Sequence, residues 1–155
     1  MNRRRMLELV PPPVLYVVFW MVALLCDIAL PWPAAWLRTD ALHWVGWACL
    51  GVSLLFGLPS LAFFAANKTT VIPHARPAKL VIDGMYRLSR NPMYVAMTAL
   101  YVAVTIHAGS PWPFLFLVVP LAILHKVIIP MEEKHLADVF GEEYLAYCRR
   151  VRRWL

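Results

Sequence analysis

Charge is scarce in this sequence: Asp, Glu, Lys and Arg make up 15% of its 155 residues, with nine acids against fifteen bases. So small a polar complement excludes an ordinary soluble domain, in which about a quarter of residues are charged and roughly 45–50% are apolar. Here 61% are hydrophobic. The three cysteines, Cys26, Cys49 and Cys148, stand far apart. They form neither a CxxC pair nor an even-numbered framework, which argues against a zinc site or a disulfide scaffold and reads them as small apolar helix residues. Glycine is also scarce, at 46, 51, 57, 84, 109 and 141 only, and these positions compose no GxGxxG and no phosphate-cradling loop. Any nucleotide-like ligand must be held by other means. No internal repeat is visible.

What the chain has in quantity is apolar length. Runs approaching the ~20 residues that cross a bilayer lie at approximately 14–30, 41–66, 92–108 and 112–131, the first and third of them short. Arg3, Arg4 and Arg5 precede the first run, but PWPAAW after it offers no clear small-residue cleavage site, so the run reads as a retained span rather than a signal peptide. Lys68, Arg76, Lys79, Arg87 and Arg90 lie between the second and third runs, and Arg149, Arg150, Arg152 and Arg153 close the chain. Arg38, balanced by Asp40, is the basic residue of the loop after the first run, and the loop at 109–111 has none. The positive-inside rule then puts both termini, the loop 67–91 and the tail 132–155 in the cytoplasm. On this reading the net charge of +6 is topological. It suits anionic lipid headgroups as partners, and not nucleic acid, because the bases flank spans instead of forming one aromatic-interleaved face. The seven tryptophans, including those of PWPAAW and SPWP, read as interface anchors. The expected fold is an all-α integral membrane protein, a single domain over 1–155, with about four transmembrane helices and a C-terminal cytoplasmic amphipathic helix. Its compactness and topology point to a bacterial inner membrane.

Function is expected where the polar residues collect. KLVIDGMY reads as a short extended piece turning at Asp83-Gly84. Asn91 then suits an N-cap and Pro92 the first helical position, so the free N–H groups of that helix start form an anion site strengthened by Arg90. The tail breaks at Gly141. Beyond it Tyr144, Tyr147, Cys148, Val151 and Trp154 recur at helical spacing, with Glu142 and Glu143 leading and four arginines ending the segment, as in a helix lying on the membrane and able to cover what the loop binds. Glu132 and Glu133 follow Pro130 at a depth similar to Arg90 and Asn91. The two clusters either face each other or are ordinary interface charges avoiding the ~2.5–3.5 kcal/mol cost of the bilayer centre. Lys126 reads as snorkelling to the surface. His125, His135 and Glu132 match no strong metal motif, and no metal is expected. Asp27, near the outer end of the first span, either reaches water or acts inside the membrane, and His43 and His107 lie toward the opposite face.

The ordered series GMYxxxRNPMY, PMEEKHLxxxFGEEYxxY and RVRRW, over roughly 72–154, resembles the isoprenylcysteine carboxyl methyltransferase family and its phospholipid methyltransferase relatives. The resemblance implies a membrane enzyme that uses S-adenosylmethionine without a Rossmann domain and methylates a lipophilic small molecule or lipidated substrate, a carboxylate of an isoprenoid or lipid-like acceptor foremost. Carried onto this chain, it implies cofactor contacts from His74, Lys79, Leu80, Val81, Tyr86, Asn91, Pro92, Met93, Tyr94 and Glu132. Arg90 and Glu133 are the catalytic candidates, with Glu133 or His135 taking the proton if the acceptor is an amine. The residue types fit the ligand: glutamates for its cations, a helix start with Arg90 for its carboxylate, tyrosine faces for its sulfonium or adenine. One departure bears on the acceptor. The substrate-handling arginine of those enzymes, four residues before the first glutamate, corresponds to Ile128. A sterol-type NADPH reductase and a non-enzymatic membrane protein are the alternatives, the first predicting NADPH binding and the second no cofactor at all.

Overall fold

The computed structural model describes residues 11–66 and 80–155, the side chains of 63–66 excepted. Its first helix, α1 (Pro12–Ala29), starts on prolines, which need no N–H partner in a first turn, and closes with the Leu30 N–H on the Cys26 carbonyl at 2.8 Å. A single 3-10 turn, Ala35–Arg38, leads to α2 (Asp40–Ala66), whose acidic first residue complements the positive end of the helix dipole. Pro59 lies inside α2 and removes one backbone donor. The neighbouring buried Ser60 hydroxyl donates to the Phe56 carbonyl at 2.6 Å.

A second 3-10 turn, Gly84–Arg87, precedes α3 (Pro92–Ala108). Gly109 ends α3 in the left-handed conformation, φ 67°, with its N–H on the carbonyls of Thr105 and Ile106. Then come α4 (Trp112–Ile123), a π-helical segment Leu124–Ile128, α5 (Ile129–Phe140) and, past Gly141, α6 (Glu142–Arg150). The π segment has a local cause. Pro130 can give no N–H to the Lys126 carbonyl, and the Ile129 N–H reaches back five residues to Leu124 instead of four.

The described residues are all-α, with no strand among them. Pro12–Ala29, Asp40–Ala62 and Trp112–Phe140 are long and apolar enough to cross a membrane, and α3 is a shorter apolar helix. Large apolar side chains stay exposed along them, among them Ile28, Trp44 and Val118. Their solvent is lipid, and the protein is an integral membrane protein. Helix continues past 131, where the last apolar run ends, to Phe140, and carries both glutamates on it.

The bundle pairs α2 with α3 and α1 with α4. Tyr16 near the start of α1 packs on Tyr101 and shares a core with Leu117, Leu124, Ile128 and Ile129, while Phe56 late in α2 meets Val95 and Ala96 early in α3. These contacts put the ends of α2 and α4 beside the starts of α1 and α3. At the opposite end His43 of α2 meets His107 of α3, ring centroids 4.7 Å apart, and Gly46 leaves room for the His107 ring.

The apolar stripe of α6 is covered by protein. Tyr144 and Tyr147 are buried and pack with Leu80, Ile82, Tyr86, Leu136 and Phe140. The expected surface helix is therefore a docked one, because the 80–86 segment presents an apolar face at the same level.

Candidate functional site

The start of α3, the start of α5 and residues 152–154 converge. Tyr94 donates its hydroxyl proton to Glu132 at 2.7 Å, and the Arg90 guanidinium lies 3.0 Å from Glu133. The clusters read from the sequence as facing or independent do face each other. Both glutamates reach this place because α5 continues helically past Pro130, and Tyr94 lies one turn into α3.

The chain terminus is built into the same place. Arg153 forks onto Glu133 through Nε at 3.0 Å and Nη2 at 2.5 Å, so one carboxylate serves two guanidiniums. The bond to Glu133 raises the Arg153 pKa. Backbone joins in: the Arg90 N–H donates to the Arg152 carbonyl at 2.9 Å, and the Asn91 amide to the Arg153 carbonyl at 2.8 Å. Asn91 holds the N-cap position, yet its side chain makes no cap bond and fastens the tail instead. Ser89, fully buried, gives the cap-like contact by accepting the Asn91 N–H at 3.0 Å.

Tyr86 is half-buried and is held by its carbonyl, which accepts the Tyr147 hydroxyl proton at 2.7 Å. Burial, and then the charge of Glu132, push its phenol up to about 12. Burial also raises Tyr147, against the pull of Arg90. Tyr86 thus remains a protonated aromatic donor at any ordinary pH, close to Glu132.

Leu80 is buried beneath α6, Val81 and Met93 are half-buried, and Pro92 is buried at the helix start. His74 and Lys79 lie outside the described residues. Sequence reasoning missed Arg153 and Ser89 as partners of the cluster. The RVRRW run was legible as a basic tail, but only tertiary contact singles out Arg153 among four arginines. Among the described residues, the buried polar atoms Arg90 Nε, in this cluster, and His135 Nε2, one turn along α5 from Glu132, find no partner. Among the described residues no group of three His, Cys, Asp or Glu could hold a metal.

Beside this cluster runs an open groove of about 520 Å³, lined by Thr98, Ala99, Leu121, His125, Trp154 and Leu155. The Thr98 hydroxyl, bonded to the Tyr94 carbonyl at 2.8 Å and the Tyr16 hydroxyl at 2.7 Å, ties its wall to the cluster.

The family model described as phospholipid methyltransferase matches residues 41–143, more than half of the chain. The chain belongs to the phospholipid methyltransferase family. This family member is thereby a membrane methyltransferase, and its match takes in the α3 start, the π segment and both glutamates. It is also similar to an uncharacterized protein of Haemophilus influenzae, 32% identical over 63 residues, which is 41% of this chain and 100% of that relative. No solved structure matches.

Proposed function

We propose that this protein uses S-adenosylmethionine to methylate a lipophilic acceptor, the carboxylate of an isoprenoid or lipid-like molecule foremost, at the border of a bacterial inner membrane. Family membership supports methyl transfer over the NADPH reductase reading. The observation that carries the choice of cofactor is the set of groups gathered at the α3 start. Glu132 is a carboxylate held by Tyr94 and suits the cofactor's ammonium. The unpartnered Arg90 Nε suits its carboxylate. Tyr86 and Tyr94 offer ring faces for the sulfonium or adenine, and Leu80, Val81, Asn91, Pro92 and Met93 complete the walls. His74 and Lys79 are assigned to the same pocket on the resemblance alone.

When bound, the cofactor supplies a methyl group activated at a sulfonium. A carboxylate acceptor is already ionised and needs no base, so these residues have chiefly to position and to exclude water; orientation alone is worth about 7–11 kcal/mol in favourable cases. Arg90 fixes one end of the site. Glu133, held between Arg90 and Arg153, keeps the tail closed over it; for an amine acceptor, His135, with its buried unpartnered nitrogen, is the proton acceptor. The acceptor's chain lies in the groove beside Thr98, open to lipid. The basic flanks support a cytoplasmic side for this end of the bundle and both termini, with 1–155 acting as one domain.

Calorimetric titration of the detergent-purified chain with S-adenosylhomocysteine tests the reading. Micromolar binding is expected, and Glu132→Ala should weaken it at least about tenfold, or 1.4 kcal/mol. Folded protein that does not bind, or a variant that binds equally well, would sink the proposed pocket.

A further inference from the structure

Of the polar side chains lining the groove, one is left without its full set of partners. The Thr98 hydroxyl is engaged by Tyr16 and Tyr94, and the Trp154 indole N–H donates to His125 Nδ1 at 3.3 Å. An indole N–H can only donate, so Nδ1 is an acceptor and the ring proton belongs on Nε2. Among the described residues His125 Nε2 bonds to nothing. A hydrogen-bond donor of fixed tautomer is thus presented in a groove whose other walls are Val95, Ala99, Leu121 and Leu155.

Its placement has a structural cause. His125 lies in the π-helical segment Leu124–Ile128, where the wider turn changes which residues share a face. Ile128, the position at which the resemblance would put a substrate-handling arginine, is 5% exposed in the core and offers the groove no charge. His125, one turn earlier, faces the groove instead. Trp154 is fixed from behind by the core residues it packs on, and by Arg153 next to it in the ion pair with Glu133.

We infer that His125 is the specificity-determining residue for the acceptor: through Nε2–H it binds the carboxylate of a single-chain lipid whose tail occupies the groove, and Trp154 is the positioning residue that sets its tautomer. The chemistry follows from the lining. One N–H donor, with no lysine or arginine among the residues lining the groove, matches a singly charged oxygen headgroup, and offers nothing to an ammonium. The apolar length beside it matches a chain arriving from the bilayer. The inference rests on the methyl-transfer reading for the fate of the carboxylate, and stands apart from it for binding.

Oleate and methyl oleate are the probes, each added at equal concentration to the full chain in detergent and counted as bound adducts by native mass spectrometry. Wild type should retain oleate about tenfold better than the ester, the worth of one hydrogen bond to a charged group. His125→Phe should abolish that preference, His125→Gln should keep it, since an amide can accept from the indole and still donate, and Trp154→Phe should reduce it. S-adenosylhomocysteine affinity, measured on the same samples, should stay within about twofold of wild type in the His125 variants, which also certifies that they fold. Equal retention of both probes by wild type, or an undiminished preference in His125→Phe, overturns the inference. Oleate preference without cofactor binding would overturn the methyl-transfer reading alone, and cofactor binding without oleate preference would overturn this one alone.

Discussion

One carboxylate gathers two separate parts of the chain. Glu133 is shared by Arg90, just before α3, and Arg153, two residues from the end, all three side chains being largely withdrawn from solvent. Removing the charge leaves two guanidiniums facing each other with no counterion. Glu133→Gln should therefore destabilise the protein by about 3 kcal/mol, at the low end for a broken buried pair because water still reaches it. A lowered melting temperature in detergent, with tail residues turning sensitive to protease, would register this; an unchanged melt would mean that the pair contributes nothing to closure. These partners were only half legible in sequence. Glu132, Glu133, Arg90 and Asn91 could be placed at one depth because prolines mark the adjoining helix positions, whereas Arg153 resembled its basic neighbours until contact distinguished it.

At the scale of elements, the turns matter more than the helices they join. Gly141 adopts φ 54°, ψ −129°, a combination open essentially to glycine, and so redirects the chain between α5 and α6 in a single residue. That turn lays Tyr144 and Tyr147 against Leu80 and Tyr86. Gly141→Ala has room for its methyl group but not the conformation, and should cost about 1–3 kcal/mol, read as a lower melting temperature together with weaker S-adenosylhomocysteine binding, since Tyr86 would lose the support of Tyr147. Melting without a change in affinity would separate α6 from the site. The break at Gly141 was visible in the sequence; of the stripe beyond it Tyr144, Tyr147 and Cys148 lie on α6, while Val151 and Trp154 fall past its end. Their partner was misjudged: an amphipathic face reads the same against lipid or protein, and what lies beneath depends on where the 80–86 segment falls. The π segment was invisible, because Pro130 read as a span's end and not as a register change inside one.

Across the whole molecule the two ends of the bundle do different work. The far end is a packing joint: a Cβ at Gly46 would come within 2.9 Å of His107 Nε2, so the His107 ring of α3 fills the space that a side chain on α2 would take. Gly46→Leu should overpack this joint and destabilise the protein by about 1–3 kcal/mol, while S-adenosylhomocysteine affinity stays within about twofold, distant sites being nearly additive. A large loss of affinity would show the bundle to be coupled end to end. Apolar length and the side on which bases lie are properties of composition, so sequence by itself determined a helical membrane protein, and the ordered motifs determined its family. Which charges meet, which arginine locks the tail, and which face His125 presents depend on helix register and on chain segments as much as 62 residues apart. Only the tertiary structure decided those, because hydrogen bonds and ion pairs act over a few ångströms that no sequence spacing specifies.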